Sequence, residues 1–356
     1  MAIATQPRPT PAAEQLSQRR PAGRRLGRAL LGRPDAGALL VTIAMLVFFG
    51  IAGANAGFLS ATGFAGWLNT AAELGIVAIP IALLMIAGEF DLSIGSVVGA
   101  SGILVAILSG QFGLPTWLTA AVAIVMGALV GAFNGVIVNR TGMPSFIVTL
   151  AANFILLGLA LGISRLVAST TTVSITVDGP VGAILGGSFA GFNVAILWWL
   201  VIAAAATWVL TRTPFGSWIF ATGGNVEAAR RAGVPTHRVK LSLFAISGGA
   251  AALLGVITAA EVNSGNAVSG QGFVFQAPVA AVIGGVLLTG GYGSVIGACL
   301  GAAIYGIVSI GLFYTGWDTD WTSAFIGALL LLAVLGNNSI RKFALSVGGA
   351  SKVSNK

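Results

Sequence analysis

TRTPFGSWIFATGGNVEAARRAGVPTHRVK, residues 211–240, is the longest stretch with any density of charge between the first apolar run and the C-terminus. Both flanks are apolar, so it reads as a polar loop between membrane spans and orients everything around it. Gly223 and Gly224 form a turn, Asn225 is placed to cap a helix, Glu227 falls in the first turn, and Arg230 and Arg231 fall in the last. That is the order of charge a helix dipole favours. Gly233 then supplies the C-cap and Pro235 prevents continuation. Two turns of helix are too few to be stable alone in water, so the segment rests on the membrane domain above it or on a protein below.

Composition supports the membrane reading. Of 356 residues, 56% are hydrophobic and only 8% charged, and the mean hydropathy is +0.95. That leaves too little polar surface to wrap a soluble globule. The net charge of +8 is concentrated in the two tails and the central loop, the distribution of a membrane protein rather than of a nucleic-acid binder. The single histidine, His237, lies in the polar loop and the single cysteine, Cys299, in an apolar run. There is therefore no disulfide framework and no cysteine metal site, metal-dependent or His-based catalysis has almost no material to work with, and neither a cofactor nor enzymatic activity is expected of the chain.

Apolar runs near 37–57, 67–87, 92–110, 115–138, 145–166, 193–211, 241–260, 275–290, 294–314 and 322–338 predict an all-α, polytopic protein of ten spans. Residues 1–35, with Arg19, Arg20, Arg24, Arg25, Arg28 and Arg33, read as a disordered basic cytoplasmic tail, residues 36–340 as one membrane domain, and residues 341–356 as a second cytoplasmic tail. Charge placement agrees with ten spans: Arg140, the 212–240 loop, Arg341 and Lys342 all fall on the side of the first tail, while Asp178, Glu261, Asp318 and Asp320 fall opposite. Arg165 snorkels at the outer end of the fifth span. Trp67, Trp117, Trp198, Trp317 and Trp321 are placed near span ends as interfacial aromatics. The polar, Gly-rich segment 170–192 forms an external surface or a connector.

The chemistry within the spans is sparse. AGEFDLSIGS, residues 87–96, puts Glu89 and Asp91 in a very short connection after Pro80. Asp91, ahead of Leu92 and Ser93, either caps the third span or serves a function, and Glu89 leans to function, since a carboxylate this close to hydrocarbon faces a cavity or a partner. Asn69, Glu73, Asn134, Asn153 and Gln276 are the other polar side chains inside spans, placed to line a path or to bond a neighbouring helix. GSVVGA at 95–100 and GSVIGA at 293–298 match at five of six positions, a faint internal echo that either duplication or glycine-rich chance produces.

Several of these stretches, in order, resemble one family. EAARRAG at 227–233 is similar to the EAA-x-x-x-G signature of the membrane subunits of bacterial ABC importers. The 87–96 stretch resembles the GG-I-DLS-V-GS motif of the ribose, xylose and galactose group within it. TGMPSFIVTLAANFILLGLAL at 141–161 looks like that group's PPFIVTL segment, FATGGNVEAARRAGV at 220–234 like its coupling loop, and GGVLLTGGYGSVIGACLGAAIYG at 284–306 like its Gly-rich late helices. The resemblance covers roughly residues 37–340. Glu89 departs from the usual small or apolar residue, and Met143 stands where a first proline is common, which leaves the family intact and the particular sugar open.

The resemblance implies an inner-membrane permease subunit in the lipid bilayer, both termini cytoplasmic, that translocates a monosaccharide. Its partners would be a second permease copy, identical or not, a separate ABC ATPase and a periplasmic sugar-binding protein. Asn225, Glu227, Ala228, Ala229, Arg230 and Gly233 would couple to the ATPase. Glu73, Glu89, Asp91, Ser93, Asn134, Asn153 and Gln276 would serve the path or its structural motif. None of Lys240, Lys342, Lys352 and Lys356 follows a glycine, so the chain has no P-loop and cannot itself cradle ATP phosphates. Cargo alternatives are a branched-chain amino acid, a nucleoside or a furanose signalling molecule; the mechanistic alternative is an ion-coupled secondary transporter, for which Glu73 is the mid-helix carboxylate.

Overall fold

The computed structural model describes residues 35–177 and 179–350, with side chains through Leu335. Residues 1–34 of the expected basic tail, Asp178, and residues 351–356 lie outside the described residues, as do the side chains of Arg341 and Lys342. The helices are α1 Ala36–Ala52, α2 Ala61–Ile86, α3 Ile94–Gln111 with a π-helical last stretch from Ala106, α4 Thr116–Thr141, α5 Ser145–Ala168, α6 Gly179–Leu185, α7 Ala195–Arg212, α8 Pro214–Gly224, α9 Val226–Arg231, α10 Thr236–Glu261, α11 Phe273–Ile283, α12 Val295–Thr315 and α13 Trp321–Ala350. Four short strands complete the described chain: β1 Thr172–Ser174 pairs antiparallel with β4 Ser264–Asn266, and β2 Ser188–Phe189 pairs with β3 Phe192–Asn193. The 170–192 segment is thus tied into sheet and helix, and β1 binds it to the chain that leaves α10.

Seven of these helices, α2, α3, α4, α5, α7, α10 and α12, are long and apolar enough to cross a membrane. The other three expected spans coincide with shorter apolar helices: α1, α11 and the Trp321–Leu335 part of α13. The shortening of α11 has a visible cause. Its eleven residues cover only about 16 Å of the ~30 Å hydrocarbon layer, because non-helical chain precedes Phe273 and Gly285, with φ of +93°, ends the helix soon after Ile283.

The helix at the centre is α2. Of its most apolar window 83% is buried, against 33% for α4 and 22% for α5 and α7, which therefore form the periphery. Small residues set how closely helices approach. Gly127, Gly131 and Gly135 recur every fourth residue on α4 and meet α10 so tightly that a Cβ on Gly131 would lie 2.0 Å from the carbonyl oxygen of Phe244. Trp67 is a correction to the interfacial expectation. It lies one turn and a half into α2, only 8% exposed, edge-on to Phe64, whereas Trp117, Trp317 and Trp321 are exposed as expected.

Candidate functional site

Between α2 and α3 the chain breaks helix over residues 87–93, and the break is held by side chains from three other helices. One face of α5 carries Ser145, Thr149 and Asn153 at four-residue spacing, which stacks them along the helix. Their oxygens accept from the backbone N–H groups of Phe90 at 2.9 Å, Leu92 at 3.0 Å and Ser96 at 3.1 Å, the donors that a broken helix leaves without partners. Asp91 is fully buried. Its carboxylate accepts from the Ser93 N–H at 3.0 Å and the Ser93 hydroxyl at 2.6 Å on one oxygen, and from the Ser247 hydroxyl of α10 at 2.8 Å on the other. The Asn134 amide of α4 donates to the Ser93 hydroxyl at 3.0 Å, while its own oxygen is buried without a partner. Lys240, near the start of α10, pairs with Glu89, both side chains largely out of solvent.

The capping expectation for Asp91 is corrected here. The N-cap position of α3 is Ser93, whose side chain makes no capping bond; Asp91 closes a two-residue turn upstream and reaches across to Ser247 instead. Its carboxylate binds helices together rather than ending one. Ser247 is near the middle of α10, so the break carries a carboxylate against the middle of a long apolar helix, where three hydrogen-bond donors offset its burial.

Of the seven residues expected for the path or its motif, the structure brings together Glu89, Asp91, Ser93, Asn134 and Asn153. It leaves two apart. Glu73 is on α2, near enough to Glu261 at the end of α10 for their charges to interact, with Asn193 beside the latter. Gln276 is on α11, beside Tyr305 of α12. Asn69 is structural, its amide donating to the Gly191 carbonyl at 2.8 Å and its oxygen accepting from the Asn193 N–H at 3.0 Å, so it fastens the β2–β3 hairpin to α2. Residue-by-residue reading missed Ser145, Thr149, Lys240 and Ser247. The i, i+4, i+8 spacing of Ser145, Thr149 and Asn153 was the signal available for three of the clamp residues.

The 213–234 segment is built from local rules. Thr213 caps α8, accepting from the Gly216 N–H, with Pro214 at its first position. Asn225 caps α9, its side-chain oxygen accepting from the Ala228 N–H at 2.9 Å. Glu227 and Arg230 form an exposed pair at 3.4 Å, and Arg230 also donates to the Thr236 hydroxyl at 3.0 Å, bridging into α10. At the other end Gly233 has φ of +84°, with its N–H bonded to the Arg230 carbonyl and that of Val234 to the Ala229 carbonyl. That pair of bonds is a Schellman closure one residue beyond the Ala232 C-cap. Only Ala229 of α9 is buried; Glu227, Ala228 and Arg231 face outward.

Behind α9 the chain touches both helix breaks. Gly223 packs so closely that a Cβ there would lie 1.8 Å from the Ile86 carbonyl oxygen and 2.7 Å from the Gly291 nitrogen. The Gly291 N–H itself donates to Ile86 at 2.8 Å. The end of α8, the end of α2 and the 284–294 turn before α12 therefore meet backbone to backbone, and Ser294, the N-cap of α12, is hydrogen-bonded to Asp35 at the start of α1.

A family model described as "Branched-chain amino acid transport system / permease component" matches residues 63–334. The chain is 32% identical over 288 residues to the inner membrane ABC transporter permease protein YjfF of Escherichia coli K12, covering 78% of this chain and 84% of that one. It is 31% identical over 327 residues to the fructose import permease protein FrcC of Rhizobium meliloti, covering 90% and 89%. It is 33% identical over 352 residues to the xylose transport system permease protein XylH of Escherichia coli K12, covering 82% and 88%. No solved structure matches the chain.

Proposed function

Since this chain belongs to the branched-chain amino acid transport system / permease component family, we propose that it is the membrane-spanning subunit of an ATP-binding-cassette importer for a monosaccharide, a ribose-like pentose, a hexose or a related polyol. It works in the bacterial inner membrane with both termini cytoplasmic. A separate ATPase drives it, a periplasmic binding protein supplies it, and a second permease copy completes it. Sugar as cargo is supported by the fructose and xylose permeases it resembles, and by a chain whose spans carry hydroxyls and amides but few fixed charges.

The observation that carries the mechanism is the junction at Gly223. An ATPase that grips the outward residues Glu227, Ala228 and Arg231 would move α9, and α8 bears directly on the Ile86 end of the central helix α2 and on Gly291 ahead of α12. On the other flank α10 begins three residues after Gly233 and holds the 87–93 break through Lys240 and Ser247. A push on one short helix thus reaches both breaks without a flexible linker between. The outer layer of β1–β4, α6 and β2–β3 is the surface on which the binding protein docks.

The test is uptake of labelled pentoses and hexoses by vesicles holding the permease with its cognate ATPase and binding protein. Uptake should follow internal ATP and persist when an uncoupler collapses the proton gradient. Uptake that stops with the uncoupler while ATP stays high would establish the ion-coupled alternative, for which the electrostatically coupled carboxylates Glu73 and Glu261 are the specific support.

A further inference from the structure

α4 and α5 form a hairpin about the turn at 142–144, yet a groove of about 820 Å³ stays open between them. Each helix buries its inner face against a different neighbour. Gly127, Gly131 and Gly135 hold α4 against α10, while Ser145, Thr149 and Asn153 hold α5 against the 87–93 break. What is left between the two helices is apolar: Leu129, Phe133 and Ile137 on one wall, Ile147, Ala151 and Ile155 on the other. Asn134 is the one polar side chain along the lining, and its amide is already given to Ser93.

A sugar would find no hydrogen bonds there. The walls are regular helices whose backbone groups bond within the helix, so hydrocarbon fills the groove without stranding a polar group. On α4 the lining runs from Val122 to Ile137, about 22 Å, which exceeds the ~15 Å of one leaflet's hydrocarbon. An acyl chain therefore fits lengthwise.

The mouth of the groove is charged. Arg140 comes two turns after Phe133 on the same face of α4 and just before Met143, which belongs to the lining. Beside it His237 and Arg238, at the start of α10, join Arg140 and Asn139 around a second cavity of about 290 Å³. The Asn139 amide donates to the His237 carbonyl at 3.0 Å, fixing the two helix ends to each other. Arg140 and Arg238 are exposed, and neither has an ion-pair partner among the described residues. No acidic residue occurs between Asp91 and Asp178, so α4 and α5 supply no counter-charge. Two guanidinium groups on a fixed platform, next to a groove for hydrocarbon, match a phosphodiester and its acyl chain.

We propose that this is a site for one anionic phospholipid, with its phosphate on Arg140 and Arg238 and an acyl chain between α4 and α5. On the permease reading this end of α4 faces the cytoplasm, so the lipid belongs to the inner leaflet, whose anionic headgroups such basic pockets attract. The bound lipid joins α4 and α5 to the start of α10, with Arg238 five residues after Gly233 and two before Lys240. It thereby steadies the region between α9 and the 87–93 break.

The test is native mass spectrometry of the full purified chain with phosphatidylglycerol and phosphatidylcholine of matched acyl chains. Wild type should retain one phosphatidylglycerol at least about tenfold more readily than phosphatidylcholine, the preference that two arginines at a headgroup give. Arg140→Gln with Arg238→Gln should bring the two lipids level. Ala151→Trp, which fills the groove from an exposed position, should lower retention of both, and glycerol phosphate without acyl chains should displace neither. No preference in wild type, a preference that survives the double Gln substitution, displacement by glycerol phosphate, or unchanged retention in Ala151→Trp overturns the assignment. So does an Ala151→Trp chain that loses a self-associated form but keeps its lipid, since a protein helix would then be the occupant. The measurement needs neither ATP nor cargo, so a failed uptake assay would sink the permease reading and leave this result standing.

Discussion

The two segments with the strongest sequence signatures are stabilised in opposite ways. α9 is a helix of six residues whose cap, charge order and Gly233 closure all come from within ten residues of chain, and it is exposed apart from Ala229 and the half-buried Val226. The 87–93 break has almost no local structure of its own, and its polar groups are satisfied by α4, α5 and α10. The lesson is that the exposed segment is cheap to alter and specific for what touches it, whereas the buried one is expensive to alter and serves the fold first. Mutations should separate the two, and four of them set the scale.

Asp91→Ala should do most harm. It deletes the acceptor for three hydrogen bonds and strands the Ser93 and Ser247 hydroxyls in the interior; at roughly 1–3 kcal/mol for each buried group left unsatisfied, the loss is on the order of 3–5 kcal/mol. Thermal unfolding in detergent checks it, and a variant as stable as wild type would remove the break from the list of fold-determining elements. Lys240→Ala comes next. It leaves Glu89 as an uncompensated, largely buried carboxylate, at about 3 kcal/mol, and Lys240→Met combined with Glu89→Met should recover most of that. If the double variant is worse than either single one, the pair holds the break by more than mutual neutralisation.

On the exposed side the effects are smaller and of another kind. Gly233→Val forces a β-branched residue to φ of +84°, about 1–3 kcal/mol of local strain, with nothing within 4 Å of the added Cβ to clash. Melting of the membrane domain should be unchanged while the ATPase is lost in pull-down; an equal loss of both would mean that α9 belongs to the core. Glu227→Ala should be smallest for stability, roughly 0.3–1 kcal/mol from the helix dipole, since its contact with Arg230 is exposed. Any larger fall in ATPase binding or sugar uptake measures the partner's contact with that carboxylate.

Glu89 shows where sequence reading stops. Its position beside hydrocarbon marked it for a cavity or a partner, and the partner turns out to be Lys240, 151 residues away. The sequence leaves Asp91 open between a cap and a function for the same reason: a cap is local and visible, while Ser247 is 156 residues distant. In the sequence only its polarity singles out Asn153. That it joins Ser145 and Thr149 in one ladder depends on which face of α5 turns toward the break.

The sequence by itself determined the class, the order of the apolar runs, the polar loop and nearly every detail of α9, because composition, hydropathy and capping act over a few residues and need no distant contact. Tertiary structure alone decided that the run at 275–290 becomes a half-length helix behind a non-helical strap. The same holds for the backbone meeting of α8 with α2 and the 284–294 turn at Gly223, and for the gathering of five scattered polar residues at one break. The reason is common to all three. In a chain this apolar, hydropathy is too uniform to say which helix faces which, so close packing of small residues and the need to satisfy each buried polar group choose the partners.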